Sequence, residues 1–149
     1  MILLVHMLFG AAIGYTVGNI PLAILLAFLS HYFLDLFPHI EYNIDAIEEK
    51  KIKDKLPVIF KIASDLLFGI LLVFVLSNNQ LIAYIGAFFG ILPDGLTIMQ
   101  NRFPNNFLSF HKKFHTEKVH FLKNKKFSNF WRILSQITVI IISIILLKF

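Results

Sequence analysis

The chain has 149 residues, of which 57% are hydrophobic and 15% are charged, and its formal net charge is +5. Soluble domains are about 45–50% apolar, and the apolar residues of this chain are gathered into long runs. The composition therefore favours an integral membrane protein, with the lipid bilayer as its first partner, over a soluble domain. The sequence contains no cysteine, which excludes disulfide bonds and thiolate metal ligands.

The apolar runs predict an all-α membrane protein with about five transmembrane helices in a single domain. The predicted spans are Ile2–Val17, Ile20–Phe37, Val58–Leu76, Leu81–Met99 and Ile133–Leu147. The chain thus divides into a helical hairpin, a charged connector, a second hairpin, a basic histidine-containing loop and a final span. These five segments are residues 1–40, 41–57, 58–99, 100–130 and 131–149.

The two charged connections lie on one side of the membrane if all five helices cross it. Thirteen of the fourteen lysine and arginine residues then fall on or near that side, and Lys148 is the exception. The positive-inside rule makes this side cytoplasmic. We therefore expect an inner-membrane protein with a cytoplasmic N-terminus and an external C-terminus. The basic stretch 112–126 favours contact with anionic lipid headgroups, and no nucleic-acid-binding fold is recognisable.

An internal repeat is suggested by the placement of polar residues. An offset of 59 residues aligns the first hairpin with the second without gaps. His6 then falls on Asp65, Asp35 falls on Asp94, and the asparagines of the two short turns also coincide. The alignment predicts two repeated helical hairpins related by a pseudo-twofold axis along the membrane normal.

Six histidine and aspartate residues lie within the predicted spans or at their ends, all near the charged connections. They are His6, His31, Asp35, His39, Asp65 and Asp94. A charge inside a bilayer costs about 2.5–3.5 kcal/mol on insertion scales, so such residues usually share an interior and mark a functional site. His31, Asp35 and His39 are spaced by four and share one helical face. Glycines at the same spacing follow His6 and precede Asp94, so these faces are expected to pack closely against neighbours.

This residue set predicts a metal site. Imidazole and carboxylate groups suit zinc, manganese or iron, and a divalent ion neutralises carboxylates that otherwise repel one another. We expect one or two ions, with the ligands His6, Asp35, His39, Asp65 and Asp94. His31 is expected to be a ligand or general base, and His111 and His115 further ligands or proton donors to a leaving group. His120 is expected to be a solvated loop residue.

Three short stretches resemble the membrane-bound metal-dependent hydrolases, a family of small polytopic inner-membrane proteins. They are His6–Gly10, Ser30–His39 and Leu92–Asp94. The resemblance implies a hydrolase in which His6, Asp35, Asp94 and the His111/His115 pair occupy metal-binding positions. The chain departs from the family's pattern in two places. The Pro-Asp-x-Asp-His run is shortened at 93–95, and the His-Arg-x-x-Thr-His-Ser segment is replaced at 111–116.

The sequence leaves three functions open. The first is a metal-dependent hydrolase that acts on a lipid-linked phosphoester at the cytoplasmic face. The second is a transporter or channel for divalent cations or protons that uses the same residues as a relay. The outer halves of the first four spans, however, offer little polar path. The third is a non-enzymatic membrane scaffold with a structural metal.

Overall fold

The computed structural model of the protein describes residues 1–42, 52–120 and 127–148. Within these ranges the regular structure is entirely helical. The helices are α1 Leu3–Val17, α2 Ile20–Asp35, α3 Ile52–Leu76, α4 Leu81–Arg102, α5 Asn106–Lys113 and α6 Asn129–Lys148, and a π-helical segment, Phe114–Val119, continues α5. Most of the predicted charged connector (43–51) and part of the basic loop (121–126) lie outside the described residues. The predicted all-α class is confirmed.

Three of the helices are long and apolar enough to cross a membrane. These segments are Lys55–Leu76, Leu81–Arg102 and Asn129–Lys148, and at most 28% of the apolar window of each is buried inside the protein. Large apolar side chains cover their outer faces, as expected for helices that contact lipid. The helices α1 and α2 are apolar but shorter, with 15 and 16 residues.

The two short turns form as their sequences predict. Gly18 ends α1 in the left-handed conformation, with φ of 66°, which glycine adopts without steric cost. Asn19 then caps α2, because its side-chain oxygen accepts a hydrogen bond from a backbone N–H of the first turn. The second turn uses Asn78 and Asn79, both with positive φ, which asparagine tolerates better than most residues.

The centre of the bundle is α1, which packs against α2, α3, α4 and α6. Nine of its fifteen residues are buried, whereas α3 is mostly exposed at the edge. A helix enclosed by other helices can be apolar on all sides and needs no lipid-facing stripe. The predicted repeat makes α1 and α3 equivalent, but the two helices have different surroundings. The pseudo-twofold symmetry therefore stays a prediction.

Glycines bring α1 and α4 into backbone contact, as their spacing predicted. A Cβ atom added to Gly86 would lie 2.1 Å from the carbonyl oxygen of Gly10. A Cβ atom on Gly90 would lie 2.6 Å from the carbonyl oxygen of His6. The two helices run antiparallel along this contact, so the start of α1 lies beside the later turns of α4. The glycines thus bring His6 next to the helix that carries Asp94.

Candidate metal centre

The candidate site is built around Asp35, the last residue of α2, whose side chain is fully buried. A carboxylate in this position is unfavourable twice over, because burial removes its hydration and the helix C-terminus is the negative end of the helix dipole. Five histidine rings and the amino group of Met1, 2.5 Å away, surround it. The Nε2 atoms lie 3.1 Å from the carboxylate for His6, 3.1 Å for His31, 3.7 Å for His39, 3.2 Å for His115 and 3.2 Å for His120.

Four of the rings are oriented by a hydrogen bond at the other nitrogen, Nδ1. The oxygen partners are the Gly90 carbonyl for His31 (2.8 Å), the Phe37 carbonyl for His39 (2.6 Å), the Thr97 hydroxyl for His115 (3.2 Å) and the Glu41 carboxylate for His120 (2.8 Å). Carbonyl and ionised carboxylate oxygens only accept, so the ring Nδ1 must donate. Thr97 also accepts, because its hydroxyl donates to the carbonyl of Pro93. Histidines that bind metals are oriented in this way, with Nε2 turned toward the ion.

The Nε2 atoms of His31 and His115 lie 3.1 Å apart. With both Nδ1 atoms protonated, a neutral pair directs two lone pairs at each other, and this repulsion is relieved by a cation between them. Two nitrogens bound to one zinc ion at roughly 2.0–2.1 Å in tetrahedral geometry are about 3.3 Å apart. The observed spacing is close to that value. The donor set therefore fits a divalent metal ion.

The described residues contain two groups with metal-ligand geometry, in which the donor atoms lie within 4.8 Å of one another. The first group is His31, Asp35, Asp94 and His115, and the second is Asp35, His39 and His120. Asp35 belongs to both: its Oδ2 lies within 3.2 Å of the Nε2 atoms of His31, His115 and His120, and its Oδ1 lies 3.7 Å from that of His39. The first group has the nitrogen and oxygen donors typical of zinc, manganese or iron sites. Five predicted site residues, His31, Asp35, His39, Asp94 and His115, thus come together.

The second group contains His120, for which the prediction of a solvated loop residue is wrong. In an α-helix, residues five apart point in different directions and do not meet. The segment Phe114–Val119 is instead π-helical, and the His120 amide donates to the His115 carbonyl at 3.2 Å. Their Nε2 atoms are then 3.3 Å apart. Glu41 accepts the hydrogen bond from His120, but nothing in the sequence distinguishes it from the other charged residues of the connector.

Two further histidines border the groups without belonging to them. His6 contacts Asp35 through Nε2 and stacks on His31, with ring centroids 4.0 Å apart. No oxygen acceptor orients its Nδ1 among the described residues. His111 is buried, and its Nε2 lies 2.9 Å from the Tyr32 hydroxyl. His6 is therefore placed to orient Asp35, and His111 lies at the edge of the site.

Asp65 has a different environment from the one predicted. Its carboxylate accepts a hydrogen bond from the backbone N–H of Leu4, at 2.9 Å, and another from the Tyr42 hydroxyl. An acidic group at the N-terminus of a helix satisfies a free N–H and complements the helix dipole. Asp65 belongs to neither metal-ligand group, and its contacts indicate that it holds α3 and residue 42 to the start of α1.

The loop histidines differ in their protonation. Burial lowers the pKa of His115, although its bond to Asp35 acts in the opposite direction, and burial also lowers the pKa of His111. Both rings are therefore neutral near pH 7. Burial disfavours charge on His120 as well, but Asp35 and Glu41 outweigh it and raise its pKa to about 9. Metal binding at Nε2 of His120 therefore has to displace a proton.

A cavity of about 150 Å³ adjoins the histidine cluster. Its lining includes Glu41, Tyr42, Asp94, Thr97, Met1, His115, Thr116 and His120. A second, apolar groove of about 560 Å³ lies between α1, α2 and α6, and Met1 lines both spaces. No protein-family model matches the chain, and no curated protein or solved structure matches it.

Proposed function

We propose that the protein is a membrane-embedded metal-dependent hydrolase with its site on the membrane face that carries the loops. The observation that carries this proposal is the orientation of His31, His39, His115 and His120. Each ring is held by an oxygen acceptor at Nδ1, and each Nε2 lies 3.1–3.7 Å from the buried carboxylate of Asp35. The Nε2 of His39 also lies 3.1 Å from the Glu41 carboxylate. Such preorganised nitrogen donors around a carboxylate are typical of a metal site rather than of a structural polar core.

The two groups support a pair of ion sites that share Asp35. His31, Asp94 and His115 would complete one site, and His39 and His120 the other. A bound divalent ion polarises a phosphoryl or carbonyl oxygen and lowers the pKa of a water ligand, which suits it to hydrolysis. His6 would position the Asp35 carboxylate through its 3.1 Å contact. Glu41, with 23% of its side chain exposed beside the cavity, is placed to exchange a proton with a bound substrate.

A lipid-linked phosphoester is the substrate class that fits these surroundings. The cavity at the cluster is small, and most of the residues that line it carry a polar group, which suits a headgroup. The neighbouring groove is lined by Phe9, Phe33, Phe37 and Trp131 among other apolar residues, which suits a hydrocarbon chain. The resemblance to the membrane-bound metal-dependent hydrolases points to the same reaction class.

The proposal includes the full topology expected from the sequence. All five apolar helices, including the shorter α1 and α2, would cross an inner membrane, and the N-terminus would be cytoplasmic. Several contacts support one shared face for the site and the loops. The start of α1 contacts Asp35 and Asp65, and Ser135 near the start of α6 donates to the Pro38 carbonyl at 2.5 Å. The site would then open toward cytoplasmic lipid headgroups.

Elemental analysis of the detergent-purified protein tests the metal site. The informative variant is Asp35→Asn, and the matched control is Asp65→Asn, the same change at a carboxylate outside both groups. We expect about one or two equivalents of a transition metal in the wild type and in Asp65→Asn, and little in Asp35→Asn. Circular dichroism verifies that each variant keeps its helices. Equal metal in all three proteins, or none after reconstitution, contradicts the proposal.

Phosphate release from long-chain phosphoesters in mixed micelles tests the reaction. The wild type loaded with zinc or manganese should release phosphate, and Asp94→Asn should lose this activity because it lacks one carboxylate of the first group. If the metal-loaded wild type hydrolyses no phosphoester of this class, the hydrolase proposal is contradicted. The remaining functions are then a scaffold with a structural metal and a cation relay. Uptake of the same ion into proteoliposomes distinguishes these two functions.

A further inference from the structure

The short helix α5 carries an uncovered row of phenylalanines. Phe107, Phe110 and Phe114 are spaced i, i+3 and i+7, which puts them in one narrow stripe along α5 and the start of the π-helical segment. Their exposed fractions are 69%, 72% and 45%. We call these three residues the phenylalanine stripe. Three adjacent exposed aromatic rings on one helix face indicate a surface that is covered in the working protein.

The other faces of α5 have different roles. Leu108, His111 and His115 are buried and form the face that meets the site. At 3.6 residues per turn, this face is about 100° round the helix from the phenylalanine stripe. The side opposite the stripe is polar and includes Ser109 and Lys112, whose ammonium donates to the Asn101 side chain at 2.6 Å. The helix therefore has an apolar stripe and a polar side on opposite faces, and the face that contacts the protein lies between them.

The helix α5 lies at the ends of two apolar helices, α4 and α2. It begins four residues after Arg102, the end of the spanning helix α4. His111 lies 2.9 Å from the Tyr32 hydroxyl, and the Phe114 and Tyr32 rings are 5.9 Å apart. Tyr32 is in the last turn of α2, so α5 lies level with the end of this apolar helix. At this depth a phenylalanine stripe with a polar face opposite is typical of an interfacial helix.

We propose that the phenylalanine stripe is a membrane-binding surface that inserts into the boundary between headgroups and acyl chains. The bilayer surface is then the partner of α5. The polar side of α5 faces water, and the third side presents His111 and His115 to α2. Because the lipid surface holds the helix from outside, it seats the segment that carries His115 and His120 over Asp35. The inference concerns lipid contact and does not depend on the reaction at the site.

Trp131 is the only tryptophan of the chain, so Trp131→Phe provides a background without tryptophan fluorescence. A reporter is then introduced as Phe110→Trp on the stripe, and the matched control is Ser109→Trp on the polar side. Each protein is placed in phosphatidylcholine nanodiscs that contain lipids brominated in the upper part of the acyl chain. We expect the bromolipids to quench Phe110→Trp severalfold more strongly than Ser109→Trp. Aqueous iodide should show the reverse order.

Two results would overturn the proposal. Strong iodide quenching of Phe110→Trp without bromolipid quenching would place the stripe in water. Protection from both quenchers would mean that a protein surface, such as a second copy of the chain, covers it. If Phe110→Trp does not fold, Phe107→Trp places the reporter on the same stripe and is judged by the same criteria.

Discussion

At the scale of single residues, Asp35 explains why so many histidines meet at one point. A buried carboxylate at the C-terminus of a helix costs several kcal/mol unless hydrogen bonds or a cation compensate its charge. An imidazole that binds a metal through one nitrogen and an oxygen acceptor through the other is neutral, so the rings supply nitrogen ligands without fixed charge once an ion is bound. The arrangement is therefore favourable when an ion occupies it.

The orientation of His115 gives the first prediction. Thr97 accepts the Nδ1 hydrogen bond of His115, and Thr97→Val removes the oxygen while it keeps the shape of the side chain. We expect the metal affinity to fall by about 10–100-fold, as is usual when an outer-shell partner of a ligating histidine is lost. Isothermal titration of the metal-free protein with zinc measures the change.

Thr116→Val is the control for this experiment. Thr116 also lines the cavity, but its hydroxyl donates to the carbonyl of Lys112 within its own helix and holds no histidine ring. Its metal affinity should stay close to that of the wild type. If both valine variants bind zinc as tightly as the wild type, the Nδ1 bond of His115 has no part in metal binding.

At the scale of helices, the spacing of residues along the sequence predicted which helices carry the site better than it predicted which residues belong to the site. Spacing by four predicted that His31, Asp35 and His39 share a helical face. His31 and Asp35 do, whereas α2 ends at Asp35 and His39 approaches the carboxylate from beyond the helix. The metal-ligand group that includes Asp94 also agrees with the sequence. His120 could not be found in this way, because the π-helical segment changes the spacing at which residues align. Asp65 is as acidic as Asp94, and only the three-dimensional packing distinguishes a cap from a candidate ligand.

The contact between α1 and α4 gives the prediction for this scale. Gly86→Ala places a Cβ atom 2.1 Å from the Gly10 carbonyl, where only a backbone shift can relieve the clash. We expect a loss of about 1–3 kcal/mol in the free energy of unfolding, the usual effect of overpacking a tight core. Unfolding in mixed micelles of increasing dodecyl sulfate content, followed by circular dichroism, measures it.

Gly95→Ala is the matched control, because it makes the same change in the same helix where no atom lies within 4 Å of the new Cβ. It should leave stability unchanged or raise it by up to about 1 kcal/mol, since alanine favours a helix over glycine. Equal stabilities for Gly86→Ala and Gly95→Ala would show that the two helices do not approach as closely as described.

At the scale of the whole molecule, the sequence predicted which end of the bundle is polar but not how the helices are arranged. The histidines and aspartates lie near the charged connections, so alternating helices bring them to one face. The repeat suggested two equivalent hairpins, yet α1 is enclosed by four helices and α3 lies at the edge. The positions of polar residues along the chain indicate how deep each of them lies in the membrane. Which helix lies at the centre of the bundle depends instead on packing between distant segments, such as the glycine contact of α1 with α4.

The orientation of the molecule in the membrane gives the last prediction. Because the chain contains no cysteine, Gln80→Cys, Asn106→Cys and Lys148→Cys each introduce a single exposed thiol. The turn before α4 and the end of α6 should lie outside, and the start of α5 should lie on the cytoplasmic side, as the basic residues near α5 require. A membrane-impermeant maleimide added to right-side-out vesicles should therefore label positions 80 and 148 and reach position 106 only after permeabilisation. The opposite labelling pattern would reverse the orientation. Labelling of 80 and 106 from the same side would mean that α4 does not cross the membrane, and the site would then have no fixed membrane face.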